Sequence, residues 1–155
     1  MRAAELADRV RVAYPDVVVA RGEVTVIVDR SDLLDALAAL RDEPALGLDF
    51  LSSVTATDWP GRSPRFWVAY ELYSMTHGHR LRLKVGLEED DPRIPSVTPL
   101  HPTADWHERE TYDLAGVQFV GHPNLRRILC VEDWVGHPLR KDYEMPLEYH
   151  GIRGK

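Results

Sequence analysis

Residues 66–85 read FWVAYELYSMTHGHRLRLKV. Phe66, Val68, Tyr70 and Leu72 share one face, with Trp67, Ala69, Glu71 and Tyr73 on the other; Leu81, Leu83 and Val85 then oppose Arg80, Arg82 and Lys84. Successive side chains of a strand point to opposite faces, so each run predicts a strand with one apolar side. Ser74 to His79 predict the loop of an antiparallel hairpin. A hairpin that is apolar on one face needs a second layer to cover it.

The flanking sequence supplies that layer. Upstream, residues 49–59 read as another strand running into the Pro60-Gly61 turn. Before it, Leu33, Leu34, Leu37 and Leu40 recur at helical spacing, with Ser31 as the expected N-cap and Pro44 beyond the end. Two β-branched runs, Val17 to Ala20 and Val24 to Val28, predict a strand pair turned at Arg21-Gly22-Glu23. Ala3, Leu6, Ala7, Val10 and Tyr14 predict an amphipathic helix over the first 13 or so residues, stopped by Pro15. Downstream, EEDDPRIPSVTP (88–99) holds too much proline for a helix or a central strand. Asp105 and Glu108 have the spacing of a capping box opening a helix from Trp106 to Leu114 that Gly116 ends. After Gly116, glycine, proline and histidine are frequent enough to predict little regular structure. The order α-β-β-α-β-β-β-α followed by an irregular tail predicts a single α+β domain, its helices packed on a largely antiparallel sheet.

Composition narrows the functions. A chain of 155 residues buries a core of its own without cross-links. Cys130 is the only cysteine, so no disulfide and no iron–sulfur cluster can rest on this chain alone. Charges interrupt the N-terminus, and no apolar run approaches the ~18 residues of a membrane span, so a soluble chain is expected. Net charge is −6, which argues against a general nucleic-acid binder. The surplus acid lies in residues 86–113, just ahead of Arg126-Arg127 and Arg140-Lys141. Faces of opposite sign suit a protein partner as well as a solvated surface.

Catalytic signatures fail one by one. His107-Glu108 begins like a zinc-protease helix, but Thr111 stands where the second histidine belongs. His77 and His79 fall in a hairpin loop, and His122 and His137 each precede a proline, which favours extended backbone and a histidine that fixes a corner. There is no Gly-x-Gly-x-x-Gly and no Gly-Lys-Thr or Gly-Lys-Ser to cradle a phosphate. Cys130 sits in the apolar run Ile128 to Val131, which marks a buried, inert thiol. Arg109 and Asp113 stand four apart, as in a salt-bridged helix face. What survives is a density of charge beside two stiff corners, Gly121-His122-Pro123 and Gly136-His137-Pro138-Leu139-Arg140, with Trp106, Tyr112, Phe119, Trp134 and Tyr143 nearby. Arginine and aromatic side chains dominate protein interfaces, so the residues favour a docking surface. A free-standing enzyme built on the histidines and carboxylates, and a nucleic-acid module built on the arginines, are the competing readings.

The run Trp106 to Asp113, then Gly116, Phe119, Gly121-His122-Pro123, Leu125 to Leu129 and Gly136 to Tyr143, resembles the thirty-kilodalton (C) subunit of proton-translocating NADH:quinone oxidoreductase, respiratory complex I. Leu51 to Asp58, Arg65 to Leu72 and Asp91 to Thr98 extend the resemblance, which covers roughly residues 47 to 146 and implies one α+β domain over residues 1–146 with a C-terminal tail at 147–155. Ala115 stands where that family usually has an aromatic and His107 where it usually has an apolar residue, so packing around this helix is expected to differ.

The resemblance implies a non-catalytic peripheral-arm subunit with no cofactor of its own. FMN, iron–sulfur clusters, NADH and quinone would sit on other subunits. The D subunit of the complex, near the quinone site, would be the main neighbour, with the B and I subunits, and the chain would meet the cytoplasmic face of the inner membrane only through the complex. Relatives serving hydrogenases and ferredoxin- or F420-linked membrane complexes leave the electron donor open. The motif residues carried over as structural or interface groups are Glu108, Arg109, Glu110, Asp113, His122, Arg126, Arg127, His137, Arg140, Lys141 and Asp142. Arg126, Arg127, Arg140 and Lys141 would offer charge to neighbouring chains, and the Arg140-Lys141-Asp142 triplet would pair with its own Glu-Arg-Glu helix or with the D subunit.

Overall fold

In the computed structural model, which describes residues 1–154, the expected hairpin forms between β4 (Phe66–Tyr73) and β5 (Arg80–Leu87). The two strands pair antiparallel, Phe66 opposite Leu87 and Leu72 opposite Leu81. Every residue of the apolar face from Phe66 to Leu72 and from Leu81 to Leu87 is no more than 2% exposed. Full burial of one such side chain is worth about 1.5–3 kcal/mol, so this face contributes heavily to the core.

The other strands build outward from that pair. β3 (Phe50–Asp58) lies antiparallel against β4, with an irregularity between Leu51 and Ser53. β1 (Val17–Ala20) and β2 (Glu23–Ile27) form a second hairpin, turned through Arg21 and Gly22, both at positive φ. β2 then runs beside β5 in parallel, Thr25 opposite Arg82, giving the order β1-β2-β5-β4-β3. The sheet is therefore largely antiparallel, with one parallel junction.

Two helices contribute to the core, the first lying against β1 and β2. α1 (Ala3–Arg11) buries Leu6, Ala7 and Val10, and α2 (Leu33–Asp42) buries Leu33, Ala36, Leu37 and Leu40. The expected Ser31 cap is not made: Asp32 occupies the cap position without a side-chain bond, and the Ser31 hydroxyl donates to the Asp32 carboxylate instead. α3 (Ala104–Ala115) crosses β3. The expected Asp105–Glu108 capping box is also absent, because the helix begins ahead of Asp105 and Glu108 faces the interior.

The proline-rich loop holds a short strand, β6 (Arg93–Pro95), paired parallel with β7 (Gln118–Val120) in a separate two-stranded sheet, where a proline is tolerated at the edge. From Gly121 the chain is irregular until β8 (Glu148–Tyr149) and β9 (Ile152–Arg153) pair antiparallel within the expected tail. The architecture is the α+β domain expected. Among the described residues no helix is long and apolar enough to cross a membrane.

Candidate functional site

The C-terminal half of α3 and residues 126–143 form one ion-and-hydrogen-bond network, centred on Asp113. The Asp113 carboxylate is fully buried; Oδ1 accepts from Arg127 Nη1 at 2.7 Å, and Oδ2 accepts from the backbone N–H groups of Ile128, Leu129 and Cys130 at 2.9, 2.7 and 2.8 Å. Burial pushes this carboxyl upward, but Arg127 and the three N–H groups outweigh it and hold its pKa well below the usual carboxylate range. Three successive N–H groups converging on one oxygen bend the chain tightly around the helix. Arg127 also donates to the Gly136 carbonyl at 2.8 Å, tying the second glycine corner to the segment that wraps Asp113.

The helical Arg109–Asp113 pair expected from spacing does not form. Arg109 turns to the Arg126 and Arg127 carbonyls, at 3.2 and 3.4 Å, and stacks over Trp106 at 5.4 Å from its ring centroid. Cys130 is half-buried rather than buried; desolvation and its contact with Asp113 push the thiol up, which disfavours the reactive thiolate.

Gly116 ends α3 in the left-handed conformation, φ 78°, and the chain packs against it so closely that a Cβ there would lie 2.5 Å from Arg140 Nη2 and from His137 Cδ2. Arg140 donates to the carbonyls of Ala115 and Gly116, at 2.8 and 3.4 Å, so a cation satisfies orphan acceptors at the negative end of the helix. His137 Nδ1 donates to the Asp113 carbonyl at 3.0 Å, and burial lowers its pKa. Tyr143 closes the second corner by donating its hydroxyl to the Val135 carbonyl.

A second buried knot lies where β3 meets β4. Asp58 and Arg65 form a bidentate pair, Nε to Oδ1 at 2.7 Å and Nη2 to Oδ2 at 3.0 Å, with Arg65 only 3% exposed. Arg65 also reaches Glu89 at 2.5 Å and Asp142 at 2.8 Å, while the Lys141 N–H donates to Asp58 Oδ2 at 2.8 Å. The bond from Arg65, foremost, holds the Asp58 pKa below its ordinary value.

The Arg140-Lys141-Asp142 triplet is thus held inside its own domain. Its partners are the end of α3 and the Asp58–Arg65 pair, not the Glu-Arg-Glu carboxylates. Sequence reasoning placed Asp58 and Arg65 only within strand patterns; the available signal was two opposite charges just outside paired apolar runs.

His122 and His137 do not meet. His122 Nδ1 accepts from the Asn124 N–H at 2.9 Å, so its proton sits on Nε2 and is donated to the Asp105 carbonyl at 3.1 Å. Asp105 and Asp113 are separated by about 12 Å along the helix, which keeps the two imidazoles apart. Glu108 is fully buried against Ser96 and Val97, and Glu110 is exposed. Among the described residues no group of three or more histidine, cysteine or acidic side chains is placed to hold a metal.

The outside of this segment is different in character. Arg126, Glu110 and Lys141 are exposed and their side chains make no ion pair among the described residues. The same helix and returning segment also carry exposed apolar side chains: Trp106 (62%), Leu129 (63%), Val135 (84%), Val131 and Leu139. Inner charges fasten the segment, and outer apolar groups with two unpaired cations are left facing solvent.

Comparison with known proteins assigns the fold to a family. Residues 26–149 match the family model described as respiratory-chain NADH dehydrogenase, 30 Kd subunit. The C subunit of NADH-quinone oxidoreductase from Roseiflexus sp. (strain RS-1) is 46% identical over 94% of this chain and 86% of its own length. The protein of the same description from a Nocardioides species is 48% identical over 90% of this chain, which spans only 58% of that relative. A solved structure, Nqo5 of a trypsin-resistant fragment (1-134), superposes with a TM-score of 0.67 at 32% identity, covering 81% of this chain and all of that one. With its motifs, its fold and residues 26–149 all matched, this chain belongs to the respiratory-chain NADH dehydrogenase 30 kDa subunit family.

Proposed function

We propose that the chain is a non-catalytic structural subunit in the peripheral arm of a proton-translocating NADH:quinone oxidoreductase. It docks against the D subunit of that complex near the quinone site, with the B and I subunits as further neighbours. The observation that carries this reading is the division of labour in residues 121–143: Arg127, Arg140 and Asp142 are used inward, while Arg126 and Lys141 are exposed without ion pairs and the same segment leaves Leu129, Val131, Val135 and Leu139 exposed. A segment that exposes apolar side chains and unpaired cations together suits protein docking, and its counterpart should be apolar with acidic neighbours. NADH, FMN, iron–sulfur clusters and quinone belong to other subunits in this reading, and the membrane is met on its cytoplasmic side through the complex alone. NADH as donor follows the names of the Roseiflexus and Nocardioides relatives.

The test is affinity capture from detergent-solubilised native membranes with a tag on this chain. Recovery of other subunits together with NADH-dependent quinone reduction is the expected result. A chain recovered alone from the cytosolic fraction would contradict the reading.

A further inference from the structure

Glu108 is a fully buried carboxyl with no lysine or arginine in ion-pair contact among the described residues. Oε1 accepts the Val97 N–H at 2.7 Å, and Oε2 lies 2.7 Å from Ser96 Oγ. Ser96 Oγ lies in turn 2.8 Å from Thr98 Oγ1, with either hydroxyl able to donate, and Thr98 is half-buried. The ionisable groups facing Glu108 come from three elements. Asp105 lies one turn back on α3 and brings like charge. Tyr70 of β4 presents a buried hydroxyl without a partner, and burial followed by the charge of Glu108 raises its pKa. His122 Nε2 lies 4.0 Å from Oε2, its proton committed to the Asp105 carbonyl while Nδ1 accepts from Asn124. Asp105 Oδ1, also buried, makes no hydrogen bond, and His122 Nε2 stands 3.4 Å from it. An ionised Glu108 therefore sits among groups that solvate it incompletely, and a neutral one does not.

The hydroxyls give the proton a route. With Glu108 ionised, Ser96 donates to it and Thr98 donates to Ser96. With Glu108 protonated, its O–H donates to Ser96, Ser96 donates to Thr98, and the Thr98 hydroxyl turns away. Reversing these donors carries one proton, taken from water at Thr98, onto the carboxylate with little heavy-atom movement.

We propose that this cluster is a proton-operated clasp: Thr98 and Ser96 pass a proton between solvent and Glu108, whose protonation sets how firmly residues 96–98 and the His122 corner are held to α3. The proposal does not depend on the docking reading. Burial pushes the Glu108 carboxyl up to about 7, against the opposing bonds from Ser96 and Val97, and the Asp105 charge adds to it. For a carboxyl raised above its ordinary 4.5, the hold is strongest below that value and weakens as pH rises until the folded protein ionises near 7.

Two measurements on the full chain test it. Hydrogen exchange, corrected for intrinsic rates, should show protection at Val97 and Asn124 falling roughly thirtyfold from about pH 5.5 to about pH 8, with Glu108→Gln abolishing that dependence. Carbon-13 NMR of the wild-type Glu108 carboxyl, which needs no variant to fold, should titrate near 7. The same pH dependence in wild type and Glu108→Gln, or a Glu108 midpoint at the ordinary carboxylate value, would overturn the proposal.

Discussion

Arg140 Nε donates to the Ala115 carbonyl at 2.8 Å, so the last cation of the second glycine corner closes the C-terminus of α3. The contact is intramolecular, and it fixes what disrupting the corner should do. Arg140→Glu removes charge-assisted bonds and puts an anion at the negative end of a helix, a loss of about 2–4 kcal/mol. The isolated domain should melt lower by roughly 5–15 °C in circular dichroism. An unchanged melting temperature would show the corner to be solvated.

Asp113 organises more backbone than any other side chain here, and its variant should show a characteristic pH dependence. Asp113→Asn keeps the shape but loses the charge that Arg127 and three N–H groups share, for about 3–5 kcal/mol at neutral pH. Because the folded-state pKa is depressed, this stability is present above the ordinary carboxylate value and is lost as pH falls below it. Urea midpoints of wild type and variant should therefore differ most near pH 7 and converge in acid; a constant gap would contradict the role assigned to Asp113.

Because the Asp58–Arg65 pair is buried, removing one partner is expected to cost more than removing both. Arg65→Met leaves a buried carboxylate unpaired and should cost about 3–5 kcal/mol, whereas Arg65→Met combined with Asp58→Leu should recover part of it. Exchange at the Lys141 amide, which Asp58 accepts at 2.8 Å, should speed up in any variant lacking Asp58. A double variant no better than the single would show that the pair's worth is not electrostatic.

Two glycines with similar φ should respond differently to alanine. Gly22 has open space around its Cβ position, so Gly22→Ala bears only the backbone strain of about 1 kcal/mol. At Gly116 the new methyl meets His137 and Arg140, and Gly116→Ala should cost several-fold more by denaturant titration. Equal losses would mean that the 136–143 segment yields freely.

The sheet and the covering faces of the helices were legible in the sequence because burial there follows the local period. Phe66 to Leu72 and Leu81 to Leu87 alternate, and Leu33, Leu37 and Leu40 recur each helical turn. Caps and ion pairs were less legible, because they depend on residues brought together by folding. Glu108 has capping-box spacing but is taken up by Ser96 and Val97, and Arg109, four residues from Asp113, is diverted to carbonyls that only the returning chain supplies. β6 and β7 were missed because each is three residues long and one ends in proline. The two Gly-His-Pro corners were visible; that one histidine serves each end of α3 was not.

The central claim is that the outer surface of residues 126–141 docks to a partner while the inner surface serves the fold. Val135 separates the two, being 84% exposed. Val135→Glu should leave the melting temperature of the isolated chain within a degree or two, while a buried interfacial charge costs on the order of 2–4 kcal/mol of binding. The direct measurement is the amount of this chain that co-purifies with NADH:quinone oxidoreductase activity from membranes, wild type against Val135→Glu. Retention should fall at least tenfold with the isolated domain intact; retention at the wild-type level would contradict the claim.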